Sequence, residues 1–139
     1  MQKFCLAIHG GAGTILKEDM TPELEKEYRE GLAAALKAGY TVLEKGGAAL
    51  NAVKTAVMSL EDNPLFNAGK GAVFTKKGVN ELDAAIMDGQ TLDAGAVAGV
   101  RNVRNPVLLA EEVMKHSGHI FLVGKGANDF AIKRGVKLE

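Results

Sequence analysis

LDAAIMDGQTLDAGAVAGV, running from Leu82 to Val100, decides the fold. Leu82–Met87 reads as one strand and Leu92–Val100 as a second, and Asp88-Gly89 supplies the turn chemistry that joins antiparallel partners. Ala94, Ala96, Val97, Ala98 and Val100 put small apolar groups on both faces, which suits a buried sheet. Downstream, Asn105-Pro106 opens a helix that continues to about Ser117 and stops at Gly118. Ile120–Val123 is a further strand, and Ala127–Arg134 a short helix ended by Gly135. Upstream, Phe4–Ile8 is apolar at nearly every position and reads as a strand covered on both faces; a loop then runs through Met20. Thr21-Pro22, with Glu23 and Glu25 behind them, is a helix start: hydroxyl cap, proline at the first helical position, acids at the positive dipole end.

In that helix Leu24, Tyr28, Leu32, Leu36, Gly39 and Leu43 share one stripe. Gly31 and Gly39 lower helix propensity, so they mark points of close approach by other backbone. Lys45-Gly46-Gly47 ends the helix. Ala48 to Glu61 is a second, with Ala49, Val53, Ala56, Val57 and Leu60 inward; Asn63–Gly71 is a loop and Ala72–Thr75 a short strand. Helices and strands are segregated rather than alternating, which predicts a layered α+β arrangement over a doubly wound sheet. No repeat or Pro/Ser linker divides the chain, so one domain is the simplest organisation.

The 139 residues are 47% hydrophobic and 24% charged, close to the globular average, so wholesale disorder is not expected. Seventeen basic residues balance seventeen acidic ones. A nucleic-acid grip calls for a basic excess or stripe, so no nucleic-acid partner is expected. No apolar run is long enough to cross a membrane, and the N-terminus lacks the pattern of a secretory signal. A single cysteine cannot form an internal disulfide, which fits a reducing compartment. Glycine is unusually frequent, 17 residues, which points to special turns and close chain approach.

The candidate motifs fail one by one. Gly69-Lys70-Gly71 lacks the earlier glycine and the hydroxyl of a phosphate loop. His9-Gly10-Gly11-Ala12-Gly13 follows an apolar run, but the next helix opens only near Pro22, too late for a dinucleotide fingerprint. Ser117-Gly118 separates His116 from His119, and no third ligand lies nearby. His9 reads as a hydrogen-bonded structural histidine and Cys5 as an inert core thiol. Asp83 and Asp88 form no acid/base pair, Asp88 being a turn residue, and the charges of Glu23–Glu30 are a solvated helix face. What remains is two glycine-dense loops, Gly10–Gly13 and Asn67–Gly71, whose backbone groups can donate or ligate.

Four blocks then align in order: Ile8-His9-Gly10-Gly11-Ala12-Gly13; NPLFNAGKGAVFT from Asn63 to Thr75; ELDAAIMDG from Glu81 to Gly89; and AGAVAGV from Ala94 to Val100 with Asn105-Pro106-Val107. Together they resemble the α subunit of the plant-type L-asparaginase/isoaspartyl peptidase family, from Phe4 to about Arg134. The resemblance implies half of a four-layer αββα sandwich of the N-terminal nucleophile hydrolases, completed by a β subunit. It implies a precursor that cuts itself before a threonine. The new N-terminal threonine of the β chain would be the nucleophile, its own amine the base, and L-asparagine or an isoaspartyl dipeptide the substrate, through an acyl-enzyme. Residues 1–139 would then be a single α subunit, not an independent domain, ending at Glu139 before the cleavage motif. Thr14, Thr21, Thr41, Thr55, Thr75 and Thr91 are internal, so none has a free amine, and no catalytic residue is expected in this chain.

By the same resemblance Asn67 lies beside the nucleophile, and Gly10 and Gly11 form a loop next to the β-chain N-terminus. Main-chain carbonyls of Leu60, Glu61, Asn63, Phe66, Ala68 and Lys70 would hold a structural sodium ion, with no organic cofactor. The family implies an (αβ)₂ assembly in the cytoplasm. Two alternatives stand beside this: a glycosylasparaginase or taspase-like hydrolase of the same superfamily, and a self-contained nucleotide-binding or non-enzymatic small domain.

Overall fold

The computed structural model describes residues 3–13, 15–16 and 18–139. Thr14 lies outside the described residues. The order is α1 (Pro22–Glu44), α2 (Ala49–Glu61), a 3-10 turn (Gly69–Gly71), β1 (Leu82–Met87), β2 (Ala94–Val100), α3 (Pro106–His116), β3 (Phe121–Val123) and α4 (Gly124–Arg134). The segregated α+β pattern read from the sequence is the one observed.

Local chemistry explains the boundaries. Thr21 caps α1 by accepting the Leu24 N–H at 3.2 Å, with Pro22 in the first turn. Gly135 ends α4 in the left-handed conformation, φ 69°. The acids and bases of early α1 pair along its solvated face, Arg29 with Glu25 at 2.7 Å and Lys26 with Glu30 at 3.8 Å.

The sheet has order β1-β2-β3. β1 and β2 are antiparallel with a register slip between Leu82 and Ala84, whereas β2 and β3 are parallel, bridged by α3. The connection between β1 and β2 is longer than a two-residue turn: Asp88 N–H donates to Asp93 O, and the Asp88 carboxylate accepts the Gln90 N–H. One sheet face carries Leu82, Ile86 and Val97 into a core shared with Val107, Leu109 and Val113 of α3 and Ala127 and Ala131 of α4. The paired positions of the other face are Ala85, Ala96 and Phe121, then Met87 with Ala94, then Ala98 with Val123. Every one is apolar, and Met87, Phe121 and Val123 are each more than half exposed.

α1 and α2 pack on each other beside this unit. Gly39 is where they touch most closely: a Cβ there would lie 2.8 Å from Ala52 O. The second helix turns differently from the expected stripe. Ala52, Ala56 and Glu61 are its buried positions, with Leu60 partly buried, while Ala49, Val53 and Val57 are exposed. Small residues win the inward face because α1 approaches at Gly39, leaving no room for valine.

Three further expectations are corrected. Phe4–Ile8 forms no strand. An apolar run becomes a strand only against a partner edge, and among the described residues none pairs with it. It lies along α1, with the Phe4 and Tyr40 rings edge-on at 5.1 Å. Cys5 is consequently exposed, not a core thiol. Ala72–Thr75 is likewise no strand. The Asn80 side-chain amide donates to Ala72 O at 2.6 Å and Val73 O at 3.3 Å, taking the place of a ladder partner.

Candidate functional site

The two glycine-dense loops meet. A cleft of about 890 Å³ is bounded by the Gly10–Gly13 loop on one side and Phe66, Asn67 and Ala68 on another, with Tyr28 and Leu32 of α1 as its floor. The cleft exists because α1 is notched. At Gly31 a Cβ would fall 2.7 Å from Asn63 Nδ2 and 2.9 Å from Phe66 Cε2, so the loop after α2 sits against bare backbone. The approach foreseen at Gly31 is thus made by side chains rather than by another main chain. Phe66 is buried there, edge-on to Tyr28 at 5.8 Å. Gly10 closes the far wall, where a Cβ would lie 2.7 Å from Leu32 Cδ2 and 3.3 Å from Phe66 Cε1. His9 Nδ1 accepts the Gly11 N–H at 3.1 Å, a structural use of the imidazole as expected.

Asn67 stands between two cavities. It lines the large cleft and also a smaller one of about 230 Å³ with Glu61, Gly69, Val73 and Pro106. Its Oδ1 accepts the Val73 N–H at 3.0 Å. Among the described residues its Nδ2 has no acceptor, so the amide protons are the group left for a ligand or another chain. The loop is local in origin: Asn63 Oδ1 accepts the Leu65 N–H at 2.9 Å, an Asx turn that redirects the chain after α2.

The residues expected to supply carbonyl ligands run from the last turn of α2, which holds Leu60 and Glu61, through the loop to Lys70. Carbonyls of Leu60, Asn63, Phe66 and Ala68 accept N–H groups of Asn63, Phe66, Ala68 and Gly71, and each carbonyl oxygen has a second lone pair. Gly69, at φ 48°, lies against Glu61: a Cβ there would fall 2.5 Å from Glu61 O. Lys70 is exposed in the 3-10 turn. Among the described residues no group of three or more His, Cys, Asp or Glu side chains could hold a metal. His116 lies 4.0 Å from Glu112, whereas the His119 N–H bonds to Ser117 Oγ; Asp83 accepts the Gly99 N–H, and no acid/base pair forms with Asp88.

One charged side chain was not singled out by its spacing. Glu61 is only 2% exposed, its Oε1 accepting the Val107 N–H at 3.0 Å and its Oε2 without a partner among the described residues. Burial pushes its carboxyl up to about 7, against the opposing Val107 bond and the nearby Asn105 amide; the Asp62 charge adds to the rise. The available signal was its position: an acid in the last turn of a helix, where the dipole is unfavourable, calls for another reason to be there. Next to it, the Arg104 guanidinium bonded to Asp62 holds that carboxyl below the usual range.

The sequence matches the protein family described as asparaginase over residues 1–139. It is 52% identical over 137 residues to the isoaspartyl peptidase of Escherichia coli K12, covering 99% of this chain and 43% of that protein. It is 52% identical over 126 residues to the plant-type L-asparaginase of Thermococcus kodakarensis, covering 91% and 40%. It is 47% identical over 131 residues to the isoaspartyl peptidase/L-asparaginase of Xenopus laevis, covering 94% and 41%. The chain therefore spans about two fifths of the length of these relatives.

Proposed function

The chain belongs to the asparaginase family, and on that premise we propose that it is the α part of an amidohydrolase that releases ammonia from L-asparagine and cleaves isoaspartyl dipeptides. The observation that carries this reading is the convergence of Asn67 and the Gly10–Gly13 loop on one cleft, in a chain that matches the family throughout. The nucleophile is a threonine on a β chain released from the same precursor. Its hydroxyl attacks the amide carbon and its amine takes the proton, then gives it to the departing nitrogen as the C–N bond breaks; ammonia or an amino acid leaves, and water later releases aspartate from the ester.

This chain's share is to shape and order the site. Asn67, held through Oδ1 by Val73, presents its amide protons. Gly10 lets the loop pack on Leu32 and Phe66, and Gly11, where a Cβ would meet nothing within 4 Å, leaves open space for a chain terminus to approach. The β chain covers the apolar sheet face of Ala85, Ala96, Phe121, Met87 and Val123, making the four-layer sandwich. Residues 1–139 then form no independent domain, and two αβ units associate as (αβ)₂ in the cytoplasm. Among the described residues no helix is long and apolar enough to cross a membrane.

The loop fits a sodium ion. Its donors are hard carbonyl oxygens, and those of Leu60, Asn63, Phe66 and Ala68 each keep a lone pair beyond the N–H they accept. Leu60, Glu61, Asn63, Phe66, Ala68 and Lys70 would hold it, and the ion would supply rigidity to the loop rather than chemistry. No organic cofactor is involved.

The test is aspartate release by the complete protein from L-asparagine, from β-aspartyl-leucine and from a glycosylated asparagine, each offered alone, and by Asn67→Ala. We expect turnover of the first two and a large loss of kcat in the variant. Turnover of the glycosylated substrate alone would replace this reading with that of a glycosylasparaginase.

A further inference from the structure

The first turn of α3 leaves N–H groups that need acceptors, yet its own cap residue Asn105 makes no side-chain cap bond. The acceptor comes from 46 residues earlier: Glu61, the last residue of α2, takes the Val107 N–H at 3.0 Å. α3 is the helix that packs on β1 and β2, so this bond references the end of α2 to the sheet. The same residue faces the other way through its main chain. Gly69 adopts φ 48° and rests on Glu61, with room for no side chain between them: a Cβ would lie 2.5 Å from Glu61 O and 2.8 Å from Glu61 Cβ. Gly69 is two residues from Asn67, whose Oδ1 is fixed by Val73, and Glu61, Asn67, Gly69 and Val73 surround one cavity.

We propose that Glu61 is a positioning residue for Asn67: its carboxylate pins the loop to α3, and its backbone seats the turn that aims the Asn67 amide into the cleft. This rests on the reading of Asn67 as part of the reaction site. Loss of the carboxylate removes the buried bond between the α2 end and α3, leaving there, among the described residues, only the Asp62 bonds to Arg104 and Asn105, and the Asn67–Val73 bond loosens with it.

The test uses the complete protein with Glu61→Ala, Glu61→Gln and, as a control, Glu111→Gln. Glu111 is also buried and, through Lys54, also ties α3 to α2, but seven residues before the Glu61 end; its other partner, Lys115, is on α3 itself. If Glu61→Ala does not fold, Glu61→Asp, which withdraws the carboxylate by one methylene, takes its place. Two quantities are read: kcat and KM on L-asparagine, and hydrogen exchange at the Val73 amide. We expect Glu61→Ala to lower kcat about tenfold or more with little change in KM, and to speed Val73 exchange about tenfold. Glu61→Gln, which keeps an acceptor for Val107, restores both to within about threefold of the parent. Glu111→Gln lowers the unfolding temperature but moves neither. Unchanged Val73 exchange in Glu61→Ala, or equal acceleration in Glu111→Gln, overturns the proposal. If the parent protein does not turn over L-asparagine, the asparaginase reading falls, and Val73 exchange still decides the role of Glu61.

Discussion

Replacing Ala96 with aspartate puts a carboxylate at the centre of the apolar sheet face. Ala96 is on the middle strand, in register with Ala85 on one side and Phe121 on the other. Around it Met87 is 54% exposed, Phe121 54% and Val123 56%. Covering the exposed half of three such side chains stabilises the complete protein by about 1 kcal/mol each, roughly 3 kcal/mol together. A carboxylate at Ala96 disrupts that contact and leaves a charge buried without a partner, at a cost of about 3–5 kcal/mol. Were the face open to water in the complete protein, the same substitution would cost only the difference in strand preference, about 1 kcal/mol at most. Urea unfolding of the complete protein separates the two, with Lys76→Asp, in an exposed loop, as a control expected within about 0.5 kcal/mol of the parent. An Ala96→Asp loss under about 1 kcal/mol would refute the claim that another layer covers this face.

Gly31→Val should push Asn63 and Phe66 from the α1 notch, costing about 1–3 kcal/mol in unfolding free energy and lowering turnover of L-asparagine; a fully active, equally stable variant would count against the notch. Burial pushes the Glu111 carboxyl up, but hydrogen bonds and charge from Lys115 and Lys54 outweigh it and hold it below its ordinary 4.5. Its contribution is therefore present above that value and lost as pH falls through the lower folded value. Acid titration of unfolding should bring parent and Glu111→Gln together below that range, and a constant gap at all pH would contradict the assignment. Exchanging sodium for caesium in a metal-stripped sample should lower the unfolding temperature, since a larger ion fits the loop carbonyls poorly; no shift would remove sodium from the account.

Elements whose causes are local were legible. The Thr21-Pro22 start of α1, the Gly135 stop of α4, and the strands on either side of Asp88 all follow from residues within a few positions of each other. Phe4–Ile8 was misread because an apolar run states only that the residues favour burial, not that a partner edge is at hand. Of the positions expected inward, Ala56 is buried, but hydrophobicity also pointed to Val53 and Val57, and close packing against Gly39 gives that face to Ala52 beside Ala56. The two loops of the site were visible as glycine clusters, but their meeting depends on the Gly31 notch, which only three dimensions reveal. The Glu61 carboxylate was hidden for a similar reason, since its partner Val107 lies 46 residues away.

The central claim is that these residues serve a threonine nucleophile carried on a second polypeptide cut from the same precursor. Intact mass measurement of the denatured complete protein tests it most directly. The account predicts two polypeptides from one gene, one containing residues 1–139 and the other beginning with threonine. A single uncut chain that hydrolyses L-asparagine would contradict it.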